Sequence, residues 1–390
     1  MKKTLLTICL VWMCFSLSAQ KIIDLSGKWS FSIDRQDNGE KEKWFSHTLN
    51  DCINLPGSMP EKLKGDEVTA KTQWTGSLYD SSYYYNPYME KYRKEGNIKF
   101  PFFLTPDKHY VGAAWYQKEV NIPADWKGER ILLFLERPHI ETTVWVNGQK
   151  TGMQNSLCVP HQYDITHYVR PGKCTITIRV DNRIKEINVG PDSHSITDQT
   201  QGNWNGIVGR ICLQTTPKTY FDDIQIYPEP EQKLARVKVV IKGTGTAKVK
   251  LSAESFNTDK KHIVPAIQQE IKLNKGVTET EMVLPMGNDM LLWDEFHPAL
   301  YKLKAEVTNG KKTEIKEIQF GMRRFEIKGK WFYVNGRKTQ LRGTVENCDF
   351  PLTGYAPMDV ESWERVFRIC RSYGLNHMRF HSFCPPEAAF

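Results

Sequence analysis

The sequence predicts a multidomain, mainly β protein in which two successive β-sandwiches precede the first βα units of an incomplete (β/α)8 barrel. Three observations support this. Residues 20–228 show alternating strand patterns without helical periodicity, residues 229–320 show several short strand patterns, and residues 321–390 show a strand–helix–strand pattern. A whole barrel of this kind takes about 250 residues. The last segment would therefore be about a quarter of one.

The first segment has the alternation of half-buried strands. Ile131–Leu135 is apolar throughout, and Thr142–Val146 runs into Asn147-Gly148, a dipeptide typical of tight hairpin turns. Thr175–Val180 alternates between apolar and polar residues. Residues 66–107 interrupt these strands with a stretch rich in Tyr, Asn and Pro. A segment of this length without clear strands is usually a functional loop or an insertion.

A charged, proline-rich stretch, Tyr227–Glu231, predicts a stiff connector and a domain boundary at residues 228 and 229. About seven short strand patterns follow in residues 231–320, including Val237–Ile241 and Leu300–Val307. That many short strands in roughly ninety residues is typical of an immunoglobulin-like sandwich. Asn335-Gly336 then indicates a hairpin turn.

The last segment contains one well-marked helix between two strands. The first strand is predicted from Gln340, and the helix at Asp359–Tyr373. Asp359 or Ser362 can cap the start of the helix, and Gly374 is the expected left-handed stop. The chain then returns to a strand that runs up to His381.

The N-terminus indicates export. Lys2 and Lys3 precede an apolar stretch, Leu5–Leu17, and Ser18-Ala19 offers a small-residue cleavage site. Residues 1–19 are therefore predicted to be a signal peptide, and the mature protein to be periplasmic or extracellular. The apolar stretch is shorter than the about 20 residues that a spanning helix needs, and no later segment reaches that length. No membrane span is expected.

Charge and cysteine content argue against two classes of protein. The net charge is +8, but the basic residues form no cluster of the kind that nucleic-acid binding requires. Two of the nine cysteines lie in the signal peptide, and the others are scattered without CxxC pairs or zinc-ligand spacing. Neither a disulfide framework nor a zinc site is expected, although one incidental bridge stays open.

Three side chains are expected at the carboxyl ends of barrel strands, where such barrels carry their chemistry. Arg342 is placed after the first strand, and Arg379 and His381 after the second. These groups could hydrogen-bond hydroxyls or orient a carboxylate. For Arg379 the alternative is a structural ion pair at the barrel mouth. Glu346 and Asp349 are interpreted as loop residues rather than as a catalytic pair.

Asn203 and Trp204 are further candidates, because they lie in a Gly- and Asn-rich stretch, Gln201–Gly206. An indole gives a sugar a flat apolar face on which to stack, and amides bind its hydroxyls. The alternative is a buried tryptophan at the entry to a strand.

A series of short motifs follows one another along the chain in an order and spacing that resemble a known family. They are Leu25–Trp29, Leu55–Gly57, Ala114–Lys118, Val144–Gly148, Tyr163–Thr166, Gly206–Gly209, Trp293 with His297–Tyr301, Phe320–Arg323, Leu341–Gly343, Phe350–Gly354 and Gly374–Arg379.

Together these motifs resemble the N-terminal part of a glycoside hydrolase family 2 protein of the β-galactosidase/β-glucuronidase group. The resemblance implies a sugar-binding jelly-roll domain at 20–228, an immunoglobulin-like domain at 229–320 and the start of a catalytic TIM barrel at 321–390. It also implies a carbohydrate ligand and a retaining mechanism with two glutamates. One glutamate follows an Asn on the fourth barrel strand and the other lies on the seventh, so both fall beyond this chain.

What the resemblance carries onto this chain is a set of substrate-binding residues. Arg342 and Arg379 match family arginines near the substrate. The family's histidine in the loop after the first strand falls on Asn347, and His381 lies one residue nearer Arg379 than its counterpart. These departures affect the expected galactose specificity. No cofactor is expected in this chain, although Mg²⁺ or Na⁺ is open for the full-length protein.

Three functions remain open from the sequence. The leading one is an exported β-glycosidase, truncated early in its barrel and inactive as this chain alone. The second is a non-catalytic carbohydrate-binding protein with a vestigial barrel segment. The third, a structural adhesin of stacked sandwiches, leaves the strand–helix–strand unit unexplained. The sequence indicates neither the sugar and linkage nor the oligomeric state.

Overall fold

The computed structural model describes residues 20–75, 85–99, 101–185, 196–198 and 201–390. These residues form two compact units. The first consists of residues 21–216, 327–333 and 337–390, and the second of residues 217–326 and 334–336. The predicted signal peptide, and Tyr83 and Tyr84 of the tyrosine-rich loop, lie outside the described residues.

Two antiparallel sheets make up most of the first unit. In the described residues one sheet has the order β1-β13-β8-β11 with β4 on β13, and the other has the order β10-β9-β12-β7-β2-β3, while β5 pairs with β6. The strands are β1 (Ile22–Asp24), β2 (Gly27–Asp34), β3 (Asp51–Leu55), β4 (Gly57–Ser58), β5 (Asp66–Glu67), β6 (Lys108–His109), β7 (Ala113–Ile122), β8 (Arg130–His139), β9 (Glu141–Val146), β10 (Gln149–Asn155), β11 (His161–Asp164), β12 (Gly172–Asp181) and β13 (Gly206–Thr216).

One apolar core lies between these two sheets. The predicted alternation of β12 is confirmed, because Ile176, Ile178 and Val180 all point into it and are fully buried. Alternate residues of β8, such as Leu133, enter from the other sheet. Each large apolar side chain buried in this way stabilises the fold by about 1.5–3 kcal/mol. The turn at Asn147-Gly148 is also confirmed: both residues have positive φ and they join β9 to β10.

The outer face of the six-stranded sheet is covered as well. The segment after β2 folds back over Trp115 and Trp145, which are buried beneath Trp44 and Phe45. Asp34 anchors this cover, because its carboxylate accepts a hydrogen bond from Trp115 Nε1 (2.9 Å) and others from main-chain amides. The polar positions of the alternating strands are therefore buried too, which their sequence pattern did not indicate.

The second unit is a sandwich of two antiparallel sheets, with the orders β14-β15-β18 and β17-β16-β19-β20 in the described residues. Six of its strands lie in residues 231–320, where about seven short strands were predicted, and each of the six has 9–11 residues. The strands of this unit are β14 (Tyr220–Glu229), β15 (Leu234–Lys242), β16 (Gly245–Ser255), β17 (Ile263–Leu273), β18 (Val277–Pro285), β19 (Tyr301–Asn309) and β20 (Lys312–Phe320).

The division between the units lies at Pro217 rather than at the predicted boundary of residues 228 and 229. The stretch interpreted as a connector is in fact the end of β14, which pairs with β15 as far as Glu229. Phe221 is buried in the core of the second sandwich, and Ile224 and Ile226 pack against it. These apolar residues place the strand in the second unit. Pro228 lies within the strand, and Pro230 follows its last residue.

The rest of the chain forms a small sheet and a parallel β–α–β unit. In the described residues β21 (Phe325–Lys328), β22 (Trp331–Val334) and β23 (Arg337–Thr339) form a three-stranded sheet. Asn335 and Gly336 both have positive φ at its second turn, as predicted. The chain continues through β24 (Gly343–Glu346), α1 (Val360–Ser372) and β25 (His377–Phe380).

Helix α1 begins and ends as its sequence indicates. Asp359 caps it by accepting a hydrogen bond from Ser362 N (2.8 Å), and Gly374 beyond its end has positive φ. Trp363 of this helix is buried, whereas Val360 in its first turn is more than half exposed. β24 and β25 are parallel, as at the start of a β/α repeat. The complete barrel stays a prediction. No helix in the described ranges is long and apolar enough to cross a membrane.

Gly206 gives a test of this architecture. Its φ is +149°, and a Cβ there would lie 2.5 Å from Gly57 O of the neighbouring strand. We expect Gly206→Ala to lower the free energy of unfolding of the first unit by about 2–4 kcal/mol, because both strain and overlap would result. Denaturant titration measures this.

The control is Gly276→Ala, which has a positive φ but open space around the added methyl group. It should cost only about 1 kcal/mol. Equal losses for the two variants would show that the close approach of β4 and β13 does not constrain the fold.

Candidate functional site

The carboxyl ends of the two parallel strands carry the side chains that the sequence singled out. Val345 pairs with Arg379, and the ring of Phe380 packs edge-on against Trp363 of α1 at 5.8 Å. Because successive side chains of a strand alternate, Arg379 lies on the face of β25 that points away from the helix. It is exposed there. In a β/α barrel this is the inner face.

Arg342 does not lie at this edge, so its predicted placement is wrong. The strand begins at Gly343, and Arg342 precedes it. Its Nε donates to Gly374 O (2.8 Å), and its main-chain N donates to Asn376 Oδ1 (2.8 Å). The turn after α1 thus holds Arg342 at the amino end of the strands. The prediction was wrong because the strand starts at Gly343, three residues later than the predicted start at Gln340.

His381 and Asn347 do lie at the carboxyl edge. His381 N donates to Glu346 O (2.8 Å), which continues the strand pairing by one step, and Asn347 follows Glu346 directly. His381 O accepts a hydrogen bond from Gln201 Nε2 of the first sandwich (2.6 Å). The structure therefore brings Asn347, Arg379 and His381 to one edge. That these residues bind substrate stays a prediction.

Trp204 is a packing residue at the end of the sandwich that meets this edge. Its indole stacks on His139 (4.6 Å between ring centroids, 17° between planes) and contacts Tyr355 (5.5 Å). A Cβ on Gly354 would lie 3.3 Å from it. With 7% of its surface exposed, it is not the open stacking platform that the sequence suggested. The alternative of a buried tryptophan is the one that the structure has.

Asn203 is likewise committed to internal contacts. Its Nδ2 donates to Asn182 O (2.9 Å), and its Oδ1 lies 3.1 Å from His139 Nε2. Burial lowers the pKa of His139 to about 4. The imidazole is therefore neutral at neutral pH, and the tautomer with hydrogen on Nε2 donates to Asn203. Substrate contacts by Asn203 and Trp204 stay predictions, and in this geometry they require rearrangement.

Other sandwich side chains hold the loops beyond the two parallel strands, and sequence reasoning missed them. Arg137 donates to Cys384 O (2.9 Å) and Pro385 O (2.6 Å). Ser58 Oγ donates to Thr353 O (2.6 Å), and Tyr355 donates to Glu61 Oε2 (2.9 Å). These partners are separated by more than 240 residues along the chain. No local pattern could have indicated them.

Two hollows lie along this contact. A small cavity of about 80 Å³ is bordered by Trp204, Cys158 and Cys348, and a larger cleft of about 750 Å³ by Glu136, Arg210 and the loop 349–359. Both are lined jointly by the sandwich and by the loops of the β–α–β unit. The edge that carries Asn347 and His381 is therefore bounded by a concave surface.

Two carboxyl groups near this edge are partly buried. Burial raises the pKa of Glu346, and the charge of Asp349 adds to the effect; burial also raises the pKa of Asp349. Glu346 Oε2 and Asp349 Oδ1 have no hydrogen-bond partner among the described residues. Glu346 pairs with Phe380 of β25, so both side chains point to the side of the sheet on which α1 lies. Glu346 is therefore turned away from Arg379.

The donors at this edge are of the kinds that hydrogen-bond sugars. A guanidinium, an amide and an imidazole can hydrogen-bond hydroxyl or carboxylate oxygens. Retaining hydrolysis needs in addition two carboxyl groups about 5–5.5 Å apart on either side of the bond. In the described part of the chain no three His, Cys, Asp or Glu side chains cluster as metal ligands would.

The neutral, buried His139 makes stability depend on pH. An unfolded chain binds a proton at a pKa near 6.5, whereas the folded site does so only near 4. Stability should therefore be complete above pH 6.5 and fall as the pH decreases toward 4, by about 1.4 kcal/mol per pH unit. We expect His139→Gln to remove the contribution of His139 to the slope, and to leave that of other buried histidines, in denaturant titrations at a series of pH values.

His161 is the matched comparison, because burial also lowers its pKa to about 4. His161→Gln should remove a slope of similar size. An unchanged slope in His139→Gln, with the protein still folded, would mean that His139 is not held neutral at the contact.

Family models match both units of the chain. One described as "Glycosyl hydrolases family 2, sugar binding domain" matches residues 22–217, and one described as "Glycosyl hydrolases family 2" matches residues 219–323. The limits of the two matches agree with the division at Pro217.

Curated relatives carry two kinds of name. A beta-galactosidase of Thermoanaerobacter pseudethanolicus is 24% identical over 73% of this chain and 38% of its own length. A putative beta-glucuronidase of Formosa agariphila is 28% identical over 71% of this chain and 33% of its own. Human beta-glucuronidase is 23% identical over 91% of this chain and 53% of its own length. The chain thus spans between a third and about half of the length of these relatives.

Solved structures show the same fold. A Ruminococcus gnavus β-glucuronidase in complex with D-glucaro-d-lactam superposes with a TM-score of 0.69 at 18% identity, over 95% of this chain and 57% of its own. A family 2 member from Bacteroides cellulosilyticus gives 0.69 at 20% identity, over 94% and 44%. The family models together cover most of the chain. The chain therefore belongs to glycoside hydrolase family 2.

Proposed function

We propose that this chain is the N-terminal part of an exported, retaining β-glycosidase. It supplies the non-catalytic domains and the first β–α–β unit of the catalytic barrel. The two catalytic glutamates belong to the part of a family member that this chain does not span. The chain alone contacts the substrate but does not hydrolyse it.

The observation that carries this proposal is the parallel pair β24 and β25, with its carboxyl-end loops held by the first sandwich. Barrel enzymes place their active sites at the carboxyl ends of the strands. The sandwich here contacts that end through Arg137 and Gln201. A domain in this position can border the substrate and fix the loops around it.

The proposed roles follow from the positions of the side chains. Arg379 points to the inner face and hydrogen-bonds hydroxyl or carboxylate oxygens of the sugar, and Asn347 and His381 border the same edge. Arg342, at the amino end, has a structural role instead. In the full-length enzyme one glutamate protonates the leaving oxygen and the other forms the glycosyl intermediate.

The substrate class is a β-linked glycoside. The relatives are named as galactosidases and glucuronidases, and the Ruminococcus gnavus β-glucuronidase has also been solved in complex with D-glucuronic acid. Asn347, where the family has a histidine, argues for a sugar contact that differs from that of the galactosidases. Export through the signal peptide and a need for Mg²⁺ or Na⁺ beyond this chain belong to the same proposal.

A non-catalytic carbohydrate-binding protein is the second candidate. It is favoured by one observation: the matched model for residues 22–217 is described as a sugar binding domain. The two candidates differ in whether a longer gene product has turnover.

The test is hydrolysis of aryl β-glycosides. We expect no turnover by purified residues 20–390, and inhibitor-sensitive turnover by a product of the same gene that extends through the remaining barrel strands. A full-length β-galactosidase and a full-length β-glucuronidase are the positive controls. Inhibitor-sensitive hydrolysis by residues 20–390 would contradict the assignment of both glutamates beyond this chain. A longer product that binds glycans without turnover would favour the second candidate.

A further inference from the structure

A strip of exposed aromatic and basic side chains lies on the insertion between β5 and β6. Tyr85, Tyr88, Lys91 and Lys94 recur every three residues. All four are exposed, with 83% of Tyr85 and 82% of Tyr88 accessible. We call these four residues the tyrosine–lysine strip. The proposed glycosidase mechanism does not use it.

The backbone places the strip along one edge. Residues Pro87–Arg93 form a 3₁₀ helix, whose start is capped by Asn86 accepting a hydrogen bond from Tyr88 N (3.0 Å). In a 3₁₀ helix side chains three residues apart eclipse each other, and each turn rises about 6 Å. Tyr88 and Lys91 therefore share an edge, with Tyr85 just before it and Lys94 at its C-cap. Tyr88 and Lys91 are thus about 6 Å apart along the helix axis, and Tyr85 and Lys94 flank them in the sequence.

The opposite side of this helix packs on the protein. Tyr92 contacts the ring of Phe103 edge-on at 5.3 Å and has Lys91 Nζ 4.7 Å from its ring centroid, and Ile98, which follows the helix, is buried. Asn97 Nδ2 donates to Lys91 O (2.8 Å). Aromatic residues of the insertion thus already supply its packing. The two exposed tyrosines are not needed for that purpose, and exposed aromatic surface of this kind marks an interaction site.

The base of the insertion is fixed next to the candidate site. β5 and β6 close it, and Thr75 donates from both its N (2.6 Å) and its Oγ1 (2.9 Å) to the buried carboxylate of Asp198. A Cβ on Gly202 would lie 3.3 Å from Thr105. Gly202 adjoins Gln201, which holds the main chain of His381. The insertion is therefore anchored to the same segment that holds the carboxyl-edge loop.

We propose that the tyrosine–lysine strip binds an extended anionic polysaccharide chain. Tyrosine rings stack on the apolar faces of sugar rings, and the two lysines pair with carboxylate or sulfate groups along the chain. Lys94 lies 3.8 Å from Glu90 in an exposed pair, which a polyanion can displace because such pairs contribute little. The four side chains of the strip are far fewer than the roughly 20–30 residues per partner of a stable protein interface.

This proposal goes beyond glycoside hydrolysis, because the strip would bind polymer whether or not catalytic glutamates are present. Its test therefore measures binding alone. Purified residues 20–390 are run in native gels that contain dextran, dextran sulfate or polygalacturonate. We expect retardation by one or both of the anionic polymers and none by dextran. Which anionic polymer retards the protein distinguishes sulfate from carboxylate.

The variants locate the binding. Tyr85→Ala/Tyr88→Ala should weaken binding about tenfold, Lys91→Ala/Lys94→Ala should abolish the sensitivity of binding to about 1 M NaCl, and Tyr85→Phe/Tyr88→Phe should bind as the wild type does. The matched control is Phe296→Ala, an exposed aromatic of the second sandwich. It should change nothing. Equal melting temperatures confirm folding of each variant.

Three outcomes would overturn the proposal. They are no retardation by either anionic polymer, equal retardation by dextran, and unchanged retardation of the folded tyrosine-to-alanine variant. None of them depends on whether the longer gene product hydrolyses glycosides, so the two proposals fail separately.

Discussion

The burial of Trp204 between His139 and Tyr355 is the contact on which the arrangement of the first unit depends. The indole joins a sandwich strand to the loop after the first parallel strand. Aromatic pairs of this geometry contribute about 0.5–1.5 kcal/mol beyond the area they bury. Around it, Arg137 adds two charge-assisted bonds to main-chain carbonyls, each worth about 1.5–3 kcal/mol. The sandwich thereby fixes both loops at the carboxyl edge.

This contact explains how the first sandwich positions the loops of the candidate site. Asn347 and His381 at this edge belong to loops that have little secondary structure of their own. Gln201 fixes the carbonyl of His381, and Ser58 fixes that of Thr353. Loops positioned by a rigid scaffold are where binding residues usually lie. In this family member the scaffold is the first sandwich as much as the parallel strands.

The sequence predicted well whatever is determined by neighbouring residues. The hairpin turns at Asn147 and Asn335, the cap at Asp359 and the stop at Gly374 all follow from local backbone preferences, and the structure has each of them. For Asn203 and Trp204 the sequence left open a sugar-binding site and a buried tryptophan, and the structure has the buried tryptophan. Chemistry of that kind is ambiguous until the burial of the side chain is known.

Long-range contacts were beyond prediction for a physical reason. Arg137 and its partner Cys384 are 247 residues apart, and nothing near Arg137 distinguishes it from a solvated arginine. Prolines near Glu229 suggested a linker because proline is common both in linkers and at the ends of strands. The predicted position of Arg342 was wrong because the start of a strand depends on the partner strand with which it pairs. Here the pairing begins with Gly343 and His377.

The most direct measurement is a double-mutant cycle of Trp204→Ala and Tyr355→Ala. Hydrogen exchange of the α1 amides gives the opening free energy of the β–α–β unit in each variant. If the sandwich holds this unit through the indole, the two losses should be coupled by about 1 kcal/mol. Losses that add to within about 0.4 kcal/mol would contradict the account. The sandwich and the β–α–β unit would then be neighbours without one positioning the other.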